Sequence, residues 1–543
     1  MIGIRALFFP PGRNKGVAEL IVFGWRGALA AILAGLVISF LLCGYWYPYW
    51  RIADMDITMA YQGFLVNAGY PQDFFDHPGH IAIILTASWF QLFHWLGLLD
   101  VASLARMPPA SDAAAFDHVW TQAIRAGRVL SLAEAMSFVV AFALLLRRLI
   151  GDWQVAILAT FCLAFSGGLM MLARTFRTDL LAAGLVTCGF LILLIAARSP
   201  SGWLRPVLVG LAAALCTLAI VNKVQALLMV MALLPVIPFF GVPAAPDTFW
   251  RSRKAFVALA ALAVVAVVLA VPAGKLVVLG LSTDDVAIPL PFGVHGLFHP
   301  LIAGLVLLIM AVFAWLWRAP ATETAGAMIA VAAGIALGLL SLELLYHPRT
   351  VAIVVNPIEF MYGWARGSNP ELAAPGTILS GSFLSVLAGG ALDVLTRLTF
   401  VLQSSPRPTI FVEWLVVAGA VLAWRRGHHM LVWQVSALLA AAFAVDLVNT
   451  LRGLKLEYFL YTDPLVVIAA AWLLAHLPDL KTHRWTYATG IAVFWIHIAI
   501  GQAEPVKHMF KKSGPEVECW WLPQHTGRIE RFPFCPPIKS PTG

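Results

Sequence analysis

Charge is what this chain has least of. Asp, Glu, Lys and Arg make up 12% of its 543 residues, about half the share of a soluble protein. Hydrophobic residues reach 61%, and the mean hydropathy is +0.85. A soluble globular domain is excluded on that balance. Also missing are a Gly-rich phosphate loop, a Gly-x-Ser-x-Gly elbow and an HExxH motif, so no signature of a nucleotide site, a serine hydrolase or a zinc protease is present. No internal repeat is visible, whereas transporters built from matched halves show one. The net charge of +8 is modest and lies between apolar runs, where it sets topology and does not point to nucleic acid. Of the six cysteines, Cys43, Cys162, Cys188 and Cys216 lie in or beside apolar runs and read as packing residues.

What is present is a succession of apolar runs about twenty residues long, the mark of a polytopic α-helical membrane protein. They cover 18–44, 126–146, 153–172, 179–197, 204–221, 224–241, 256–280, 299–317, 324–346, 409–424, 430–450, 457–477 and 485–501. The first follows a short basic leader with no small-residue cleavage site, so it is expected to stay as an anchor. Two further stretches, 79–99 and 376–402, carry polar breaks such as His80, Gln91 and His94 in the first, and Asp393 and Arg397 in the second. Placing both in the interface puts Arg147-Arg148, Arg198 with Arg205, Arg251 to Lys254, Arg318 and Arg425-Arg426 on the cytoplasmic side with the N-terminus. Letting 79–99 span would move Arg147-Arg148 and Arg251 to Lys254 outside. The expectation is therefore an all-α membrane protein with about thirteen transmembrane helices, interfacial helices in its exterior loops, and an exterior C-terminus. Residues 1–501 form the membrane domain, with exterior loops at 46–125 and 347–408, and 502–543 form a short exterior tail.

That orientation gathers the unusual polar residues on one face. Asp54-Met55-Asp56 follows the first apolar run, and Gly69-Tyr70 and Asp76-His77-Pro78-Gly79-His80 come soon after. Arg174 to Asp179 make a tight connection between two runs, and Asn222-Lys223 interrupts two others. Arg452, Lys455 and Tyr458 lie late in the chain. Carboxylates at a membrane boundary can hold a metal ion or take a proton from a hydroxyl, and arginine and lysine pair with phosphate. Each group also has a plainer reading. The acid pair can simply solvate a loop, and His77 can cap or pack locally. Asp179 can serve its helix dipole, Lys223 can snorkel to the headgroups, and Arg452 and Lys455 can meet anionic lipids.

The order of these residues resembles the GT-C glycosyltransferases, specifically the clan of protein O-mannosyltransferases and lipid A aminoarabinose transferases. The resemblance rests on the acidic pair, Gly69-Tyr70, Asp76-His77-Pro78-Gly79, Arg128 opening a span that ends in Arg147-Arg148, the Arg177-Thr178-Asp179 step, Lys223, and Tyr458 with Pro464. It covers residues 18–230 well and the last third weakly. The family usually has Asp-Glu and His-Pro-Pro where this chain has Asp54-Met55-Asp56 and His77-Pro78-Gly79, which leaves the base open between Asp54 and Asp56. The resemblance implies inverting transfer of a sugar from a polyprenyl-phosphate donor to an acceptor hydroxyl of a glycan, lipid or protein. Asp54 or Asp56 would be the base. Asp179 would position the acceptor or, with Asp54, hold a divalent metal. His77, His80, Arg174, Arg177, Lys223, Arg452, Lys455 and Tyr458 would bind substrate. The site would face the periplasm in a bacterium or the endoplasmic reticulum lumen in a eukaryote, and the compact chain without a retention signal favours a bacterial inner membrane. A transporter or lipid flippase is the competing class.

The tail is polar and Pro-rich but carries Trp520, Trp521, Phe532 and Phe534, so it is expected to form a small ordered cap. Cys519 and Cys535 are its only cysteines. An exterior location favours a disulfide between them, worth roughly 3 kcal/mol on the chain-entropy model.

Overall fold

The computed structural model describes residues 24–75, 78–199, 203–243, 249–282, 295–357, 360–361, 381–397, 409–450 and 456–477, with short pieces between 489 and 499 and between 519 and 535. Asp76, His77, Arg452 and Lys455 lie outside the described residues, as does the side chain of Asp54. Among the described residues the chain is helical and has no strand. In chain order the helices are α1 (Trp25–Cys43), α2 (Ala53–Asn67), α3 (His80–Trp95), α4 (Ala113–Ile150), α5 (Trp153–Ala164), α6 (Gly167–Leu172), α7 (Asp179–Arg198), α8 (Leu204–Asn222) and α9 (Ala226–Leu233). They continue with α10 (Lys254–Leu281), α11 (His295–Trp317), α12 (Ala321–Leu340), α13 (Pro348–Val355), α14 (Gly381–Thr396), α15 (Ile410–Arg425), α16 (His429–Asn449) and α17 (Asp463–His476).

Among the described residues, eight helices are long and apolar enough to cross a membrane, and three apolar helices are shorter. This is an α-helical integral membrane protein. Helix length alone thus returns fewer crossings than the thirteen apolar runs, because several runs are not one uninterrupted helix. The 153–172 run breaks at Phe165–Ser166 into α5 and α6. The 224–241 run starts as α9 and continues as a 3-10 segment from Leu234 to Phe240, since Pro235 and Pro238 cannot supply the α-helical N–H bonds. The two ambiguous stretches, 79–99 and 376–402, contain α3 and α14, each only 16 residues long.

One helix is longer than its apolar run. α4 has 38 residues, roughly 57 Å at 1.5 Å per residue, against an apolar bilayer core of about 30 Å. Asp112 caps its start by accepting from the Ala115 N–H at 3.2 Å. Its end is fixed by Gly151 at φ 78°, whose N–H donates to the Arg147 carbonyl. The turn before the apolar run, expected as loop, is helical because Phe116 and Trp120 are buried there against Tyr49, Phe64 and Phe532. The long connection after α1 is therefore a packed aromatic unit of α2, α3 and the start of α4. Pieces of the tail, Leu522, Ile529, Phe532 and Cys535, complete its core. Cys519 and Cys535 are joined by a disulfide.

The bundle itself is seamed by small residues. α8 packs closely on α7 and α12. A Cβ added at Gly334 would collide with the Gly210 carbonyl oxygen, and one at Gly338 would meet Thr217 at 2.5 Å. Gly334 and Gly338 are four apart on α12 and let the backbones touch, the usual device where lipid removes the hydrophobic drive for association. Arg205 at the start of α8 closes the same seam by a 2.8 Å ion pair with the buried Glu323 of α12. Gly334→Leu is expected to push the two helices apart and lower the midpoint of detergent-induced unfolding, whereas Gly304→Leu, in open space, should not. Equal midpoints for the two variants would show that the seam does not hold the bundle.

Candidate functional site

The end of the bundle where α1, α8, α12 and α16 stop and α7 and α17 begin collects the buried charge. It starts from Asp56. This residue was expected at a polar surface, but in the structure its carboxylate is fully buried. It accepts from Arg128 Nε at 2.9 Å and from the Phe176 N–H at 2.6 Å. Arg128 is equally buried, and its remaining N–H groups donate to the carbonyls of Tyr47 at 2.8 Å and of Gly44 and Pro48 at 3.3 Å. The pair is a brace. It joins the α1–α2 connection, α4 and the Arg174–Thr178 connection in one place. Asp54 and Asp56 also belong to one helix and sit two positions, about 200°, apart around it, so the acid pair is not a loop feature.

The second centre is Asp179, the first residue of α7. Lys223, just past the end of α8, is 1% exposed and forms an ion pair with it. Arg177 Nε lies 3.7 Å from the other oxygen of Asp179, and Arg177 Nη1 lies 3.6 Å from Glu457. Tyr458 is buried with its ring 5.9 Å from the Lys223 ammonium. The structure thus unites Arg177, Asp179, Lys223 and Tyr458 from three distant stretches, as the sequence pattern placed them on one face. It also brings in Glu457. Lys223 differs from expectation in one respect: it is not a lone point charge but is already paired. A divalent metal at Asp179 would sit against two cations, Lys223 and Arg177, so the residues present there do not fit a metal ion. Among the described residues no group of three His, Cys, Asp or Glu side chains converges to hold one.

Asn222 ties this centre to the connection before α3. Its side chain donates to the Thr178 carbonyl at 2.8 Å and accepts from the Ala82 N–H at 3.0 Å, and its own carbonyl accepts from the Gly79 N–H at 2.8 Å. His80 was expected to touch substrate. It is instead fully buried, with Nε2 2.9 Å from the Ser341 carbonyl, where it fastens α3 to the end of α12. Burial holds its imidazole below the ordinary value, so the neutral ring donating to that carbonyl is the favoured form. Arg174 is also buried, hydrogen-bonded to Ser39 and packed against Gly44, which moves it from an exposed substrate contact to the α1 side of the cluster. Thr462 and Asp446 at 2.9 Å, and Thr409 and Asp463 at 3.2 Å, bind α15, α16 and α17 together at this end.

Sequence reasoning missed Arg128 as a brace and Asn222 as a hub. The available signal for Arg128 was an arginine within a long apolar helix, which is costly unless it is paired. No family model, curated protein or solved structure matches the chain.

Proposed function

We propose that this protein is a membrane glycosyltransferase of the GT-C kind, moving a sugar from a polyprenyl-phosphate donor to an acceptor hydroxyl with inversion. The observation that carries this reading is the charge gathered at one end of the bundle. Arg128, Arg174, Arg177 and Lys223 all lie there, and Arg177 and Lys223 converge on the one carboxylate of Asp179. Two cations converging in a site of low dielectric can stabilise an anion, and a departing phosphate gains charge as the glycosidic bond breaks. The ligands of a transporter are expected nearer the midplane, in broken helices. A transporter or flippase is the competing class and would leave the donor intact.

In this reaction Asp54 removes the proton from the acceptor hydroxyl, because Asp56 is already committed to Arg128 and Phe176. The acceptor oxygen attacks the anomeric carbon from the face opposite the phosphate, and polyprenyl phosphate leaves. Arg177 is the cation best placed to follow that change. Its side chain is 13% exposed against 1% for Lys223, so a phosphate oxygen can reach it. Asp179 holds it from behind and is itself paired with Lys223, and Arg452, Lys455 and Tyr458 complete the donor side. With the thirteen crossings expected from the apolar runs, this end would face the periplasm of a bacterial inner membrane, with the N-terminus in the cytoplasm and the acceptor arriving from outside.

The test is release of polyprenyl phosphate from a labelled polyprenyl-phosphate sugar by protein in lipid nanodiscs. Wild type is expected to turn over, and Arg177→Gln to lose about 10²- to 10³-fold, as for removal of one stabiliser of developing negative charge. An unchanged unfolding midpoint for Arg177→Gln would assign that loss to chemistry. A wild-type protein that carries the donor across the bilayer uncleaved would overturn the reading in favour of transport.

A further inference from the structure

The connection between α2 and α3 has features that neither the brace nor the phosphate cluster uses. Two glycines in the left-handed region bound it, Gly69 at φ 77° and Gly79 at φ 59°. Such backbone strongly favours glycine, and residues of this kind absorb the dihedral change when a segment swings. Between them, Tyr70 to Phe75 adopt no helix and are held from three sides, the first being α2, where the Gln62 amide donates to Asp73 and accepts from the Asp73 N–H at 3.3 Å.

On the second side stands the tail. The Arg528 guanidinium stacks 3.8 Å from the centre of the Tyr70 ring. The Arg528 N–H donates to the Tyr61 hydroxyl at 3.2 Å, and that hydroxyl donates to Asp73 at 2.9 Å. The tail is seated by Phe532, packed edge-on against Phe116 and Trp120, and closed by the Cys519–Cys535 disulfide. On the third side stands α13. Thr350 donates to Gln72 at 3.4 Å, and Arg349 stacks 5.1 Å from the Phe75 ring. Gln72 is buried and spans the segment by donating to the Phe74 and Pro78 carbonyls, each at 2.7 Å. Below, Phe75 packs on Val224, the residue next to Lys223, and on Ile353. Phe75 thus brings the segment against the residue that follows Lys223.

We propose that Tyr70–Phe75 is a hinged lid over the charged cluster, and that the tail residues around the Cys519–Cys535 disulfide, Arg528 among them, are the strap that sets its closed position. The strap reaches the lid through Arg528, and the lid reaches the cluster through Phe75. None of these contacts lies within the bundle, so the lid can open at a free energy below that of global unfolding. The lid stands whether or not the cluster handles a sugar phosphate, because the test reads backbone exchange and not turnover.

Hydrogen–deuterium exchange of the full chain in nanodiscs tests it, comparing wild type with Cys519→Ser/Cys535→Ser and with Arg528→Ala. In both variants the amides of residues 70–75 are expected to exchange about tenfold faster or more, while those of α7 and α8 keep wild-type rates. Gly69→Ala puts a side chain where φ is 77° and should strain the closed position, raising lid exchange on its own. Unchanged exchange at 70–75 in both variants would overturn the proposal. So would parallel acceleration of α7 and α8, since the tail would then serve stability at large and not the lid.

Discussion

Arg128→Met is expected to be among the most damaging single substitutions in this protein, and Arg128→Met with Asp56→Leu much less so. Both charged groups are fully buried and 2.9 Å apart. Removing one leaves the other charged and desolvated, which costs about 3–5 kcal/mol, whereas exchanging both for apolar residues of similar size is often close to neutral. Here the recovery should be incomplete. Arg128 also satisfies the carbonyls of Gly44, Tyr47 and Pro48, and Asp56 satisfies the Phe176 N–H. Each buried group left without a partner costs about 1–3 kcal/mol. Unfolding in mixed micelles of rising denaturing-detergent fraction measures Arg128→Met, Asp56→Leu and the double variant. If the double variant is as unstable as the sum of the singles, the two side chains are not coupled and the brace does not exist.

Asp54→Asn is expected to do the opposite: to leave stability nearly intact and abolish most of the turnover. Asp54 is the second residue of α2, where a carboxylate contributes about 0.3–1 kcal/mol through the helix dipole. As the general base it supplies roughly 10²- to 10⁴-fold in rate. Asp56→Asn should instead lower the unfolding midpoint, because the amide keeps the shape but loses the charge facing Arg128. The two aspartates are thus separable by running unfolding and transfer on the same preparations. Wild-type transfer by Asp54→Asn at full occupancy of the donor would remove it from the reaction and leave the base to be sought elsewhere in the cluster.

Much of the membrane architecture was legible beforehand because its cause is local. Twenty apolar residues must be helical in lipid, since the backbone has no water to bond to, and α7, α8, α10 and α12 fall where their apolar runs do. The short helices α3 and α14 follow from the same rule, because polar side chains break both stretches. The site was legible in part. Arg177, Asp179, Lys223 and Tyr458 were placed on one face by counting crossings, and the structure brings them together. Asp56, His80 and Arg174 were placed in water and are buried. A charged residue near a span end looks the same in sequence whether it meets solvent or a partner brought from far along the chain.

Composition and periodicity by themselves determined that this chain lives in a membrane and where several of its helices run. Tertiary structure alone decided what each charge does. Asp56 finds Arg128 across 72 residues, Asp179 finds Lys223 across 44, and Tyr61 meets the tail across 467. Such pairings depend on how helices are arranged in space. Hydropathy says nothing of that arrangement, because lipid is as good a solvent for an apolar helix face as another helix is. In this bundle it is set by small-residue seams and buried ion pairs.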